Sequence, residues 1–377
     1  MKVDMRTQTS EAGFSLVELL TATTISLIVL GTAMAAFKDA VSMNDTASNL
    51  SDASQNLRSG MNFLVRDLVQ AGHQIPTGGI PIPSGANSVP ILRPSPPTTP
   101  PVQLYFDNVN STTLSAITTG QGLGPPVDSQ VTDMVTILTG DPILDACLGT
   151  PLSVNVSTQP DLTLPILAAD GSSFSVGTKV GCASGVGGWL VGNPTQGQPP
   201  VQAGDLLLFT DPNGKNAMQA VTSTDATHVF FAASTNALDT FKLNQRGAAA
   251  GTITQLLGQA LTVQRVLMYT YYVDFSTDGQ PHLMRQLNNY PSQALAGIVE
   301  DLEMSYDIVD GVVNPTGQKT LPVTINTNLY SANQIRTVYL HVGVRSEAMS
   351  TKQHDYLRSH MSTVVNLRNL AYIDRYK

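Results

Sequence analysis

The stretch that decides the reading is Ala12–Thr24, AGFSLVELLTATT, where a glycine and one glutamate bracket the start of an otherwise uncharged hydrophobic segment. It reads as a processing signal at the head of a helix. No residue from Leu19 to Phe37 is charged. At about 1.5 Å of helical rise per residue this run spans roughly 29 Å, close to the thickness of a bilayer core, so the segment can cross a membrane. Glu18 stands at its edge. An ionised carboxylate there costs roughly 2.5–3.5 kcal/mol on insertion scales, and a partner cation is expected.

Helical periodicity continues past Lys38. Ala40, Met43, Ala47, Leu50, Ser54, Leu57, Met61, Leu64 and Leu68 recur at spacings of three and four, while Asp45, Asn49, Asp52 and Asn56 occupy another side. Gly72 and then Pro76 supply a stop. One helix from about Phe14 to Ala71 is predicted, on the order of 85 Å long. Its alanine-rich upper part suits packing against other helices, and its leucine-rich lower part suits the chain's own globular domain. Arg58, Arg66 and Asp67 read as solvated helix charges.

Composition changes at Pro76. Nine of the 23 prolines fall between Pro76 and Pro101, which predicts an extended surface loop or spacer. Beyond it the chain alternates apolar and polar residues in short runs separated by turn signals. Strands are predicted at Val102–Phe106, Val131–Leu138, Leu206–Thr210, Val229–Ala232, Val263–Val273 and His282–Leu287. Two further strands alternate cleanly. In one, Leu302, Met304, Tyr306 and Ile308 alternate with Glu303, Ser305 and Asp307; in the other, Val338, Leu340, Val342 and Val344 alternate with Tyr339, His341 and Arg345. Such strands are antiparallel with one wet face. The predicted fold is α+β, a long N-terminal helix packed on an antiparallel β-rich domain.

Gly13, Phe14, Ser15, Leu16, Val17, Glu18, Leu19 and Leu20 resemble the type III signal of type IV prepilins and pseudopilins. The resemblance implies cleavage between Gly13 and Phe14 by a prepilin peptidase, N-methylation of Phe14, and Glu18 as the assembly carboxylate. Methylation keeps the amine charged. Because a helix rises too far over four residues for Glu18 to reach its own N-terminus comfortably, the amine of a staggered neighbouring subunit is its expected partner. The leader departs from the family's basic character, since Asp4 and Glu11 balance Lys2 and Arg6. Four further stretches resemble PilW-type minor pilins and, next, J-type pseudopilins: QNLRSGMNFLVRDLVQAG (55–72), VQRVLMYTYYV with HLMRQLNN, AGIVEDLEMSYDI, and IRTVYLHVGVRS with VVNLRNL.

The organisation implied is a leader at 1–13, a transmembrane helix half at 14–37, an amphipathic extracytoplasmic half at 38–75, the Pro-rich loop at 76–101 and a β-rich pilin domain at 102–377. The function implied is a non-enzymatic minor pilin that initiates assembly of type IV pili. It would cross the bacterial inner membrane once, with its β domain outside the cytoplasm, and then enter the pilus at the cell surface. The partners implied are the membrane, the prepilin peptidase, and other minor pilins and the major pilin through their N-terminal helices. Two alternatives stand: a J-type pseudopilin of a type II secretion system, and an exported adhesin or hydrolase whose Sec signal peptide is cut after Ala35 in the Ala33-Met34-Ala35 pattern.

Cys147 and Cys182 are the only cysteines. In an extracytoplasmic domain they are expected to pair, contributing about 3–4 kcal/mol in the chain-entropy model. They lack the close ligand spacing of zinc sites. Asp274, Ser276, Asp278 and Gly279 imitate the first half of a calcium loop, but position twelve is Arg285, so a hairpin turn is the favoured reading. Asp211-Pro212-Asn213-Gly214 is a turn signature too. No nucleophile elbow, zincin helix or phosphate loop occurs, and His354 and His360 are not spaced to share a helical face. The acidic group Glu300, Asp301 and Glu303 reads as the polar face of a strand. No cofactor, metal or small-molecule substrate is expected.

The net charge is −8, yet residues 336–377 hold seven Lys/Arg against three Asp/Glu. General nucleic-acid binding is disfavoured, and the basic C-terminal strands are expected to complement the acidic body.

Overall fold

Helix α1 runs unbroken from Leu16 to Gln70, 55 residues, or about 82 Å at helical rise. The computed structural model describes residues 13–97, 104–106, 111–141, 152–154, 166–175, 201–225, 228–233, 239–257, 261–275, 278–349 and 355–370. The chain divides into two compact units: Met1–Asp52 with Ser346–Leu357, and Ala53–Arg345 with Arg358–Lys377. In the first, Leu16, Leu20, Leu27, Met34 and Phe37 are all exposed, and α1 is long and apolar enough to cross a membrane. In the second, α1 buries Ala53, Leu57, Gly60, Met61, Leu64, Asp67 and Leu68. The helix stops where Gly72 adopts φ +78° and donates its N–H to the Leu138 carbonyl at 2.9 Å, the left-handed C-terminal turn that glycine favours.

The sheet beneath the helix is antiparallel. Its strands are β1 (Val135–Gly140), β2 (Leu206–Thr210), β3 (Asn216–Ala220), β4 (Leu261–Asp274), β5 (His282–Leu287) and β6 (Gln293–Ala296). The short pairs Ile117–Thr118 and Leu152–Val154 extend it. Strand β4 is the spine: Tyr269, Thr270 and Tyr271 are paired on both sides, to β1 and to β5, while Thr262–Val266 pairs with β2. Strand alternation then assigns the two faces of β4. Tyr269, Tyr271 and Val273 join Leu57, Met61, Leu64 and Leu68 of the helix in one core. Val266 and Met268 pack in another with Leu206, Leu208, Ile80, Ile82 and Ile91.

That second core corrects the surface-loop expectation for residues 76–97, the part of the predicted loop that is described. Ile80 pairs with Leu114 and Pro81 with Thr113, and Ile80, Ile82, Ile91 and Arg93 are buried. The prolines prevent regular structure but not burial. The segment lines the sheet face opposite the helix, and Arg93 gives its guanidinium to the Thr119 carbonyl (2.8 Å) and the Thr136 hydroxyl (3.0 Å).

A second sheet, β7 (Val299–Ile308), β8 (Ile335–Met349) and β9 (Tyr356–Asn366), is ordered β7-β8-β9. Its register sets Leu302 opposite Val342, Met304 opposite Leu340 and Tyr306 opposite Val338, and all six side chains belong to the helix core. The wet face carries the charges. Glu300 accepts from Arg345 (3.2 Å) and Arg358 (2.8 Å), so two basic residues of the C-terminal strands do complement acidic partners.

The predicted strands Leu206–Thr210 and His282–Leu287 are present with those bounds, and those at Val229–Ala232 and Val263–Val273 are present with shifted ones. Val131 is instead paired with Pro126 in a small hairpin, because Asp128 and Ser129 both take positive φ and turn the chain sharply. Of the predicted strand Val102–Phe106, Val102 and Gln103 lie outside the described residues, and Tyr105 makes an isolated bridge to Leu92. Asp211 and Gly214 form the predicted turn, joining β2 to β3.

Gly60 fixes how closely α1 lies on the sheet. A Cβ there would fall 2.9 Å from Ala296 Cβ and 3.1 Å from Leu283 Cδ2. Gly60→Val is expected to destabilise the protein by about 1–3 kcal/mol, read as an earlier thermal transition; a more stable variant would exclude the contact. A local pH effect is also expected. Asp310 accepts the backbone N–H groups of Val312, Val313 and Asn314 and the Tyr330 hydroxyl. The backbone bonds hold its pKa down to about 2. Order at this turn is then fully present above the ordinary carboxylate pKa and lost as pH falls through about 2. The Val312 and Val313 amide resonances should titrate there, and a midpoint near 4 overturns the assignment.

Candidate functional site

Gly13, Phe14 and Ser15 precede the first helical residue. Phe14 is 86% exposed, and nothing packs within 4 Å of a Cβ built on Gly13. The junction expected to be cut is therefore accessible. Ser15 and Glu18 cap the helix together: the Glu18 amide donates to Ser15 Oγ at 3.2 Å, and the Ser15 amide donates to Glu18 Oε2 at 3.3 Å. This is the reciprocal capping box, with the acid also favourably placed against the positive end of the helix dipole. Its sequence signature, Ser-x-x-Glu before an apolar run, is present at Ser15–Glu18. The Glu18 carboxylate thus turns back toward its own helix start, a local partner that the purely intermolecular expectation did not include.

A second constellation lies at the lower helix. Asp67 is only 1% exposed, which corrects its reading as a solvated charge. Its Oδ2 accepts the Tyr271 hydroxyl at 2.5 Å and Arg285 Nε at 2.7 Å. The Arg285 guanidinium lies 3.9 Å from the centroid of the Tyr269 ring. Arg66, 55% exposed, only brushes Asp67 at 3.3 Å, and Arg58 is exposed. Burial, then the adjacent Asp67 charge, pushes the Tyr271 hydroxyl above its ordinary pKa. Burial disfavours the Arg285 cation, but the Asp67 hydrogen bond and charge more than offset it, so its pKa is raised. Both groups are held in the states their hydrogen bonds require. The cluster is a tether, with its helix, β4 and β5 members each fixed by the other two.

Elsewhere the predicted sites resolve into ordinary polar structure. Gly279 takes φ +78° and Asp278 contacts His282 at 2.9 Å, as a turn requires. Asp301 lies 3.4 Å from His341 and Glu303 3.9 Å from Lys319. His360 stacks on His341 with ring centroids 5.5 Å apart. Among the described residues no three His, Cys, Asp or Glu side chains are grouped to hold a metal. Cys147, Cys182 and His354 lie outside the described residues. Comparison of the chain with family models, with curated proteins and with solved structures finds no match in any of the three.

Removing Asp67 leaves the part-buried Arg285 cation without its counter-charge, and removing Arg285 leaves the buried Asp67 carboxylate without its own. Asp67→Ala is expected to cost about 3–5 kcal/mol, and an Asp67→Leu/Arg285→Leu pair to recover much of that loss. Thermal melts of the single and double variants check this; an Asp67→Ala protein as stable as the parent would overturn it.

Proposed function

We propose that this chain is a minor pilin that helps to initiate type IV pilus assembly, processed at Gly13–Phe14 and N-methylated on Phe14. One observation carries the reading. The helix is uncovered and apolar from Leu16 to Phe37, holds a single acid in its first turn, and continues without a break into a half that is packed on a β domain. A helix of this kind has two environments to satisfy. The lower half is satisfied within the chain, and the upper half needs lipid before assembly and other helices after it.

Glu18 is the residue around which assembly turns. Among the described residues its carboxylate is satisfied by Ser15, through long bonds of 3.3 Å from the amide and 3.4 Å from the hydroxyl. A methylated amine of a neighbouring subunit offers a full counter-charge and a stronger, charge-assisted bond. Exchanging the first partner for the second favours the fibre over the isolated subunit, while side-by-side packing of the exposed apolar residues adds dispersion contacts.

The test is the mature N-terminus. Mass spectrometry of the protein from cells with an active prepilin peptidase should find N-methylated Phe14; a chain beginning at Met1 or at Ala36 overturns the proposal. Glu18→Ala should leave membrane insertion intact and lower incorporation into purified pili by roughly tenfold or more, the range of a lost charged hydrogen bond. Normal incorporation would remove this role for Glu18.

A further inference from the structure

A cleft of about 450 Å³ opens on the helix-bearing face of the first sheet, with Asp205, Arg265, Leu267, Arg285, Leu287 and Tyr290 among its lining. It lies where the face of β4 changes character. Leu261 and Val263 belong to one apolar core and Tyr269, Tyr271 and Val273 to another, and Arg265 and Leu267 stand between them. The size is within the range of small-ligand sites, and the mixture of apolar walls with a few fixed polar groups is their usual chemistry.

The polar groups are held rigidly. Arg265 donates to Asp141 at 2.7 Å and meets Asp205 at 3.4 Å. Asp205 also accepts the Tyr290 hydroxyl at 2.9 Å. Gly204, at φ +97°, lets the Tyr290 ring sit where a Cβ would come within 3.3 Å of it. Arg285 Nε donates to Asp67 and to the Tyr271 hydroxyl at 3.1 Å, and the Tyr269 ring lies against the guanidinium plane. The Tyr269 side chain is a further hydrogen-bond partner of the guanidinium, and among the described residues no carboxylate accepts from its two Nη groups. A fork of N–H donors, immobilised on one edge and open on the other, therefore lines an apolar-walled cleft.

We propose that this cleft binds a monocarboxylate bearing an apolar group, its two oxygens taken by the Arg285 Nη groups and its apolar part lying on Leu267, Leu287 and Tyr290. Planar carboxylate matches the guanidinium fork in geometry. Charge selects it over phosphate. The surroundings hold Asp67, Asp141 and Asp205 against Arg265 and Arg285, a sum of −1, which penalises a phosphate dianion more than a monocarboxylate, so binding rests on the hydrogen bonds of the fork and on the apolar walls, not on net charge. The same chemistry is offered by a free short-chain acid and by the C-terminus of a polypeptide.

Gln293 gives a test that spares the tether, because it is exposed and sits directly opposite Arg285 in the β5–β6 register. In Gln293→Glu a side-chain carboxylate is placed beside the fork and occupies it. Full-length protein in nanodiscs is titrated with butyrate, with butyramide and with N-acetyl-leucyl-leucine, following the Leu267 and Leu287 methyl resonances. Butyrate should saturate in the millimolar range and butyramide should not. Gln293→Glu, with an unchanged melting temperature, and Arg285→Lys should each weaken butyrate binding at least tenfold. Tighter binding of the dipeptide than of butyrate assigns the ligand to a polypeptide end, and the reverse to a free acid. Absence of saturation by either acid, equal binding of butyramide, or unchanged affinity in Gln293→Glu overturns the proposal.

Discussion

A carboxylate with almost no access to water sits between the lower helix and its sheet, and the arrangement of the second unit follows from satisfying it. Burying Asp67 is unfavourable unless a cation and further donors reach it. Arg285 and Tyr271 do so from two adjacent strands, in register opposite one another. Apolar packing of Leu57, Leu64 and Leu68 would tolerate small rotations and slides of the helix. The three-way hydrogen bond does not, since a shift of one residue removes both partners. Stability of this interface comes from the leucines and its register from the ion pair. The three residues come from three separate stretches of sequence, RDL, YTYY and MRQ.

The helix and the alternating strands were legible because both have a period that composition cannot disguise. Leu302 to Ile308 and Val338 to Val344 alternate strictly, and their inward residues meet one another as alternation requires. Strand β3, Asn216–Ala220, has no such alternation and is buried almost throughout, so its sequence carries no signal of a face. Asp67 reads as solvated only when its charge is weighed above its position. It falls in the series Ala53, Leu57, Gly60, Leu64, Asp67 and Ala71, which advances by four and three and is buried at every step. Position on that series would have placed it inside. Its partner Arg285 could not be found this way, because pairing across 218 residues leaves no local trace.

The Pro-rich segment shows the opposite error. Low regularity does not imply surface, because between its prolines lie Ile80, Ile82 and Ile91, three residues that water disfavours. They pack on Leu206, Leu208 and Met268. The sheet is thereby covered on both faces, by a helix on one side and by an irregular chain on the other. Backbone groups of the irregular layer are met individually, as when Arg93 N–H bonds to the Leu104 carbonyl and Leu92 N–H to Phe241, instead of through a shared ladder.

The start of the helix has a mechanical consequence. The first turn is closed by the Leu19 N–H on the Ser15 carbonyl at 3.1 Å and by the side chains of Ser15 and Glu18, all of them downstream of Phe14. Severing the backbone at the Gly13–Phe14 bond removes no member of the helical ladder, so a hydrolase working there need not unwind its target. The rod keeps its full length and its end stays wound, whatever becomes of the twelve residues ahead of Gly13.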